Sequence, residues 1–295
     1  MSKHDRKGGP DAAGSAGPGT TGHEWDGIQE LNNPLPRWWL WLFYACIAFS
    51  LIWVVLYPAW PGITGATPGI LGYSSRANVR NEIAAVEKGR EAVLSQLTTI
   101  PIEQLPQHPE LMKAAVAGGQ SAFKVYCVQC HGSGATGSKG YPNLNDDDWL
   151  WGGDMASIYQ TIQHGVRQPG DDATRVSAMP AFGRDGMLTP VQVNSVVEYV
   201  LQISGQKADP KLAAAGSAVF AEQCVACHGP DGKGHREFGG PNLTDGIWLY
   251  GGTRADIHNT VWNAHQGVMP AWKTHLSDAT IRKLTAYVHS LGGGE

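Results

Sequence analysis

Two stretches of the chain decide its fold: GGQSAFKVYCVQCHG at residues 118–132 and AGSAVFAEQCVACHG at residues 215–229. Both end in Cys-x-x-Cys-His-Gly, and a glycine and a phenylalanine precede the cysteines at the same distances in each. We expect one short helix to run into each motif. Such self-similarity indicates two copies of one small domain.

The Cys-x-x-Cys-His pattern is typical of covalent c-type haem attachment. Two thiols can add across the two haem vinyl groups, and the adjacent imidazole then lies beneath the iron as the proximal ligand. A redox dithiol or half of a zinc site would not require a histidine directly after each pair, twice in register. The sequence therefore predicts two covalently bound haems c, on two sets of residues: Cys127, Cys130 and His131; Cys224, Cys227 and His228.

The repeat continues past the motifs. PNLNDDDWLWGG aligns with PNLTDGIWLYGG, and AMPAF aligns with VMPAW, before a last helix in each copy. The offset between copies falls from 97 residues at the cysteines (127 and 224) to 90 at the methionines (179 and 269). The first copy, residues 111–205, thus holds an insertion near QPGDDATRV that the second, residues 206–295, lacks. Helix–helix packing is the expected role of three aligned pairs: Gly119 and Gly216, Phe123 and Phe220, Tyr199 and Tyr287.

Met179 and Met269 are the candidates for the sixth iron ligand, because both precede Pro-Ala-aromatic and the last helix of a copy. His/Met ligation raises the reduction potential and leaves no free position for a substrate, which favours electron transfer over catalysis. By default each methionine serves the haem of its own copy, but copies packed face to face could exchange them. His164 and His265 do not align with each other, and surface or hydrogen-bonding roles are predicted for them.

Residues 38–57, WWLWLFYACIAFSLIWVVLY, carry no charge and predict a transmembrane helix, since 20 residues rise roughly 30 Å. Aromatic residues at both ends fit an interfacial belt. No small-x-small cleavage site follows, so a retained anchor is expected rather than a signal peptide. Because c-type haem attachment takes place outside the bacterial cytoplasmic membrane, we expect a single-pass protein with a cytoplasmic N-terminus and periplasmic haem domains.

The remaining segments carry less information. Residues 1–37 form the predicted cytoplasmic segment, of which 1–22 are rich in Gly, Ala, Ser and Pro and are expected to be disordered. Residues 58–110 form the predicted periplasmic connector, with a helix over 77–97. The net charge of −4 does not suggest a nucleic-acid partner.

From WDGIQELNNPLPRWWLWLF at residues 25–43 onward, the chain resembles the diheme subunit III of cbb3-type cytochrome c oxidases, over about residues 23–291. Haem motifs occur in many cytochromes, so the Leu-Asn-Asn-Pro-Leu-Pro-Arg-Trp-Trp segment makes the resemblance specific. It implies electron entry from a soluble cytochrome c or the bc1 complex. It also implies delivery to a monohaem cytochrome c subunit and to a catalytic haem-copper subunit that reduces oxygen and pumps protons.

The predicted fold is mainly α, with one N-terminal transmembrane helix followed by two tandem class I cytochrome c domains. No catalytic residue is expected, and the chain is not predicted to be an enzyme by itself. A membrane-tethered diheme shuttle that works alone is the alternative. A haem enzyme such as a diheme peroxidase would need an open iron position, which the two methionines would fill.

Overall fold

The computed structural model describes residues 19–292, which form two compact units divided between residues 86 and 87. The fold is mainly α, as predicted, and apart from short 3-10 turns its helices are, in chain order, α1 Arg37–Leu56, α2 Ser75–Thr99, α3 Pro109–Tyr126, α4 Val128–His131, α5 Met155–His164, α6 Pro190–Ile203, α7 Pro210–Gln223, α8 Val225–His228, α9 Arg254–Asn263 and α10 Asp278–His289.

A small hairpin precedes the first helix. Strands β1 (Thr20–Trp25) and β2 (Ile28–Leu31) pair antiparallel across Asp26 and Gly27. Both turn residues have positive φ, 50° and 85°, which a two-residue hairpin turn favours and Asp-Gly tolerates. The predicted disorder is therefore wrong for residues 20–22, where strand pairing outweighs the composition; residues 1–18 lie outside the described part.

Helix α1 coincides with the predicted span to within one residue at each end. It is long and apolar enough to cross a membrane, and none of its side chains is buried in the protein. The connector turns back on its end, because the backbone N–H groups of Ile70 and Leu71 donate to the carbonyls of Val55 and Leu56, at 3.0 and 3.1 Å. These bonds satisfy carbonyls of the last turn, which have no partner within a helix.

The helix predicted over residues 77–97 is confirmed as α2. The prolines after it interrupt the helix as expected: a 3-10 turn covers Ile102–Gln107, and Pro109 takes the first position of α3. Proline suits that position because it has no N–H and its φ is already helical.

The helices of residues 87–295 pair across the two copies of the repeat. Helix α3 packs on α10, and α6 packs on α7, while α5 and α9 pack on α10 and α6 respectively. One set of buried side chains comes from residues 97–162 together with 269–291. The other comes entirely from residues 179–262. The second core is thus a continuous stretch of chain, inserted into the sequence of the first.

Helices α3 and α10 cross at a glycine. A Cβ at Gly119 would overlap the backbone carbonyl of Lys283 and lie 2.7 Å from Cβ of Tyr287. Four residues on, the ring of Phe123 lies 5.3 Å from the ring of Tyr287. The predicted packing role of these residues is confirmed, but the tyrosine comes from the other copy.

The second core repeats this arrangement. A Cβ at Gly216 in α7 would overlap the carbonyl of Ser195 in α6. The rings of Tyr199 and Phe220 lie 5.1 Å apart. The first helix of one copy is therefore always packed against the last helix of the other.

Candidate haem-binding sites

The first Cys-x-x-Cys-His motif forms one helical turn at the end of α3. The backbone N–H of Cys127 donates to Phe123, and that of His131 donates to the Cys127 carbonyl, both at 2.9 Å. Residues three and four apart share a helix face, so Cys130 and His131 lie on the same side as Cys127. This turn places two thiols and an imidazole on one side, as covalent attachment of a haem c would require.

The imidazole of His131 is held by a hydrogen bond to a carbonyl. Its Nδ1 lies 3.1 Å from the Pro142 carbonyl oxygen, so the proton belongs on Nδ1 and the Nε2 lone pair stays available for a metal. Burial lowers the pKa of His131, which favours the neutral ring that a metal needs.

The second motif has the same geometry at the end of α7. The His228 N–H donates to the Cys224 carbonyl at 3.0 Å, and its Nδ1 lies 3.1 Å from the Pro241 carbonyl. Burial again lowers the pKa of the histidine. Pro142 and Pro241 are the aligned prolines of the two Pro-Asn-Leu segments, a signal from which this carbonyl role could have been predicted.

The first thiol of each motif is protected from ionisation. Burial, with a smaller contribution from the neighbouring motif cysteine, raises the pKa of Cys127 and of Cys224 to about 11. Redox dithiols work through a thiolate of lowered pKa. The two motifs therefore do not have the electrostatics of a redox dithiol.

A cavity of about 510 Å³ opens beside the second motif. Its lining includes Cys224, Cys227 and His228, the aromatic ring of Trp248, and Met179 from the first copy. Two thiols, an imidazole with a free Nε2, a thioether and apolar walls form the donor set and surroundings of a c-type haem. The residues present thus fit that group.

Met269 belongs to the first core. It packs against the cluster that contains Phe123 and Ile158, together with Cys127 and Trp149. The default expectation placed each methionine with the motif of its own copy. In the structure each methionine lies instead in the core that holds the other copy's motif.

The insertion before Met179 and the residues that lead into it pack on the segment around Met269. Val166 and Met269 exchange two backbone hydrogen bonds, each 3.0 Å long. Within the insertion, the Asp171 carboxylate lies 2.9 Å from Lys273 Nζ and 3.0 Å from His164 Nδ1. These two partners, Lys273 first, lower the pKa of Asp171 to about 2. The hydrogen-bonding role predicted for His164 is confirmed.

Two further side chains, His265 and Arg167, line the cavity without belonging to the predicted set of haem ligands. His265 stacks on Tyr250 at 4.3 Å, and its Nε2 lies 3.3 Å from Asn259. Arg167 lines the same cavity and bonds to two backbone carbonyls. Arg167 was not among the residues predicted from the sequence, because it has no counterpart of the same charge in the second copy.

Two protein-family models match the chain. One describes the N-terminal domain of cytochrome oxidase-cbb3, FixP, and matches residues 17–64. The other describes cytochrome c oxidase, cbb3-type, subunit III, and matches residues 114–200 and again 211–288. The matches follow the sequence repeat, so each spans helices that pack in both cores.

Similar proteins align over nearly the whole chain. The cbb3-type cytochrome c oxidase subunit CcoP of Cereibacter sphaeroides is 53% identical, over 94% of this chain and 96% of its own length. The subunit FixP of Azorhizobium caulinodans is 52% identical over 96% of both chains. The subunit CcoP of Rhodobacter capsulatus is 50% identical over 94% and 96%.

Proposed function

This chain belongs to the family of cbb3-type cytochrome c oxidase subunit III, and we propose that it is the membrane-anchored diheme electron carrier of such an oxidase. The observation that carries the proposal is the pair of partly buried motifs, each with an imidazole held at Nδ1 by a proline carbonyl and a methionine in the same core. When bound, each haem c supplies an iron that accepts and releases one electron.

The proposed ligand sets cross the repeat. Position in the two cores supports Met269 as the partner of the first motif and Met179 as the partner of the second. A histidine and a methionine at each site would hold the iron and leave no position for a substrate, which supports electron transfer rather than peroxidase chemistry. The two sets are Cys127, Cys130, His131 and Met269; Cys224, Cys227, His228 and Met179.

Helix α1 supports the proposed location. Its length and apolar composition suit a single crossing of the bacterial cytoplasmic membrane, and Arg37 at its start fits a cytoplasmic N-terminus. The connector and both haem sites would then lie in the periplasm, where c-type haems are attached.

In this position the chain would accept electrons from a soluble cytochrome c or the bc1 complex. It would pass them to the monohaem cytochrome c subunit and on to the catalytic haem-copper subunit. The support for this route is similarity along nearly the whole length to proteins named as subunits of cbb3-type oxidases.

Purification of the tagged chain from membranes tests the proposal. We expect a multi-span oxidase subunit to co-purify, and a pyridine haemochrome assay to give two haems c per chain. Purification without such a subunit would favour the membrane-tethered shuttle that works alone. The reduced, isolated chain should not bind carbon monoxide, and ready binding at one haem would contradict the two filled axial positions.

A further inference from the structure

We propose that Arg167 is a positioning residue that holds both methionine segments at once, an inference that rests on the methionine exchange proposed above. Its Nε donates to the Gly267 carbonyl and its Nη1 to the Ser177 carbonyl, both at 2.7 Å. Gly267 lies two residues before Met269, and Ser177 lies two residues before Met179. One guanidinium thus joins the same position of both segments.

The backbone around Arg167 is held by hydrogen bonds to Met269 and to Arg175. Its neighbour Val166 exchanges two hydrogen bonds with Met269, and its own N–H donates to the Arg175 carbonyl at 2.8 Å. Its φ of +52° is in the left-handed region, which non-glycine residues rarely adopt. Such a conformation persists where surrounding contacts fix it, and it is frequent at functional sites.

The guanidinium of Arg167 donates to backbone carbonyl groups, those of Gly267 and Ser177. Within residues 19–292 it forms no ion pair with a carboxylate, and it is partly buried at the wall of the cavity that also contains Met179 and His228. An ion pair with a carboxylate side chain would not restrain the backbone of the two methionine segments. Two charge-assisted bonds to carbonyls instead fix the path of the chain on either side.

The requirement for arginine follows from the shape of its head group. The guanidinium is planar and presents its N–H donors in a rigid fork, so two acceptors can be held at a set separation. A lysine ammonium has the same charge on a flexible stem and imposes no such separation. The fork geometry therefore distinguishes a positioning role from a purely electrostatic one.

The test uses the full chain with Arg167→Gln and Arg167→Lys. The matched control is Arg184→Gln, whose side chain is 61% exposed and pairs with its neighbour Asp185. The reference variants are Met179→Leu and Met269→Leu. The readouts are the midpoint potential of each haem in a redox titration and the far-red absorption band of methionine-ligated ferric haem, with covalent haem content as the check on assembly.

We expect both Arg167 variants to lower the potentials of both haems and to weaken the far-red band, while Arg184→Gln changes neither. A shift confined to one haem would overturn the claim that one residue holds both segments. Full restoration by Arg167→Lys would overturn it as well, because charge alone would then suffice. If Arg167→Gln fails to incorporate haem, the comparison of Arg167→Lys with the wild type decides.

The reference variants separate the two proposals. If each methionine variant lowers the potential of one haem while the Arg167 variants lower none, the positioning role fails and both methionines stand as iron ligands. If the methionine variants leave potentials and band unchanged, the ligand sets fail.

Discussion

Gly119 in α3 and Lys283 in α10 touch backbone to backbone, although they belong to different copies of the repeat. Gly216 and Ser195 do the same in the other core. Each core therefore needs helices from both copies, and neither copy can close its own hydrophobic core. The two candidate haem sites therefore lie in cores that share helices from both copies.

The Gly119 contact predicts an unequal effect of two neighbouring substitutions. Gly119→Ala places a methyl group against the Lys283 carbonyl, and overpacking of this kind costs about 1–3 kcal/mol. Gly118→Ala meets only the flexible methylene groups of the Lys283 side chain, and it removes the helix penalty of a glycine. Thermal unfolding of the purified variants should show a lower melting temperature for Gly119→Ala alone. Equal melting temperatures would contradict the close crossing of α3 and α10.

The interlocked cores predict that cutting the chain between the copies will not separate them. A protease site placed after Gly205, in the linker between α6 and α7, leaves α10 on α3 and α6 on α7. After cleavage we expect one species in detergent gel filtration with both haems, while a denaturing gel shows two haem-staining fragments. Two separate haem proteins in the filtration experiment would mean that each copy closes its own core.

The candidate haem motifs could be recognised in the sequence because they depend on short spacings. Cys-x-x-Cys-His is complete within one helical turn. The two Met-Pro segments can be recognised because they occupy aligned positions in the two copies of the repeat. The uncharged run of residues 38–57 is similarly local, and α1 follows it closely. The hairpin before α1 was missed, although Asp26-Gly27 between alternating residues is a turn signal.

The exchange between copies could not be predicted, because the repeat makes the alternatives nearly equivalent. Tyr199 and Tyr287 occupy the same position of the last helix, so either could pack on Phe123. The lengths of the connections between helices decide whether the helices pack within a copy or between copies. Only residues 204–209 separate α6 from α7, and so short a link favours packing of consecutive helices. Aligning the two copies with each other does not show which helices the short link brings together.

An ion pair between a buried carboxylate and an exposed guanidinium predicts the acid sensitivity of the second core. The Glu198 carboxylate in α6 accepts two bonds from Arg254 in α9, at 2.5 and 2.9 Å, and one from the Asp209 N–H at the start of α7, at 2.7 Å. The Arg254 guanidinium holds the pKa of Glu198 below its ordinary value. The ion pair therefore stabilises the fold fully above the pKa of Glu198 in the unfolded chain, about 4.3. This contribution is lost as the pH falls through the lower pKa of Glu198 in the folded protein.

We therefore expect Glu198→Gln to lower the melting temperature at neutral pH, and variant and wild type to approach each other as the pH falls below about 4. Glu222→Gln is the matched control, because Glu222 is exposed on α7. Thermal unfolding across a pH series measures both. A constant difference between Glu198→Gln and wild type down to acid pH would remove the ion pair as its cause.

The crossed ligand sets predict which haem each methionine controls. With the second motif disabled by Cys224→Ser and Cys227→Ser, only the haem at His131 should remain. In that background we expect Met269→Leu to lower its potential, because loss of the thioether removes the ligand that favours ferrous iron, while Met179→Leu leaves the potential unchanged. Redox titration of the single remaining haem gives the answer.

The reciprocal background, Cys127→Ser with Cys130→Ser, should reverse the result, so that Met179→Leu lowers the remaining potential and Met269→Leu does not. Each methionine then serves as the control for the other, since both lie partly buried just before a closing helix. A lowered potential for Met179→Leu with the first motif alone would mean that each copy ligates its own iron. The interlocked cores would then bring the methionines into the opposite cores without using them as ligands.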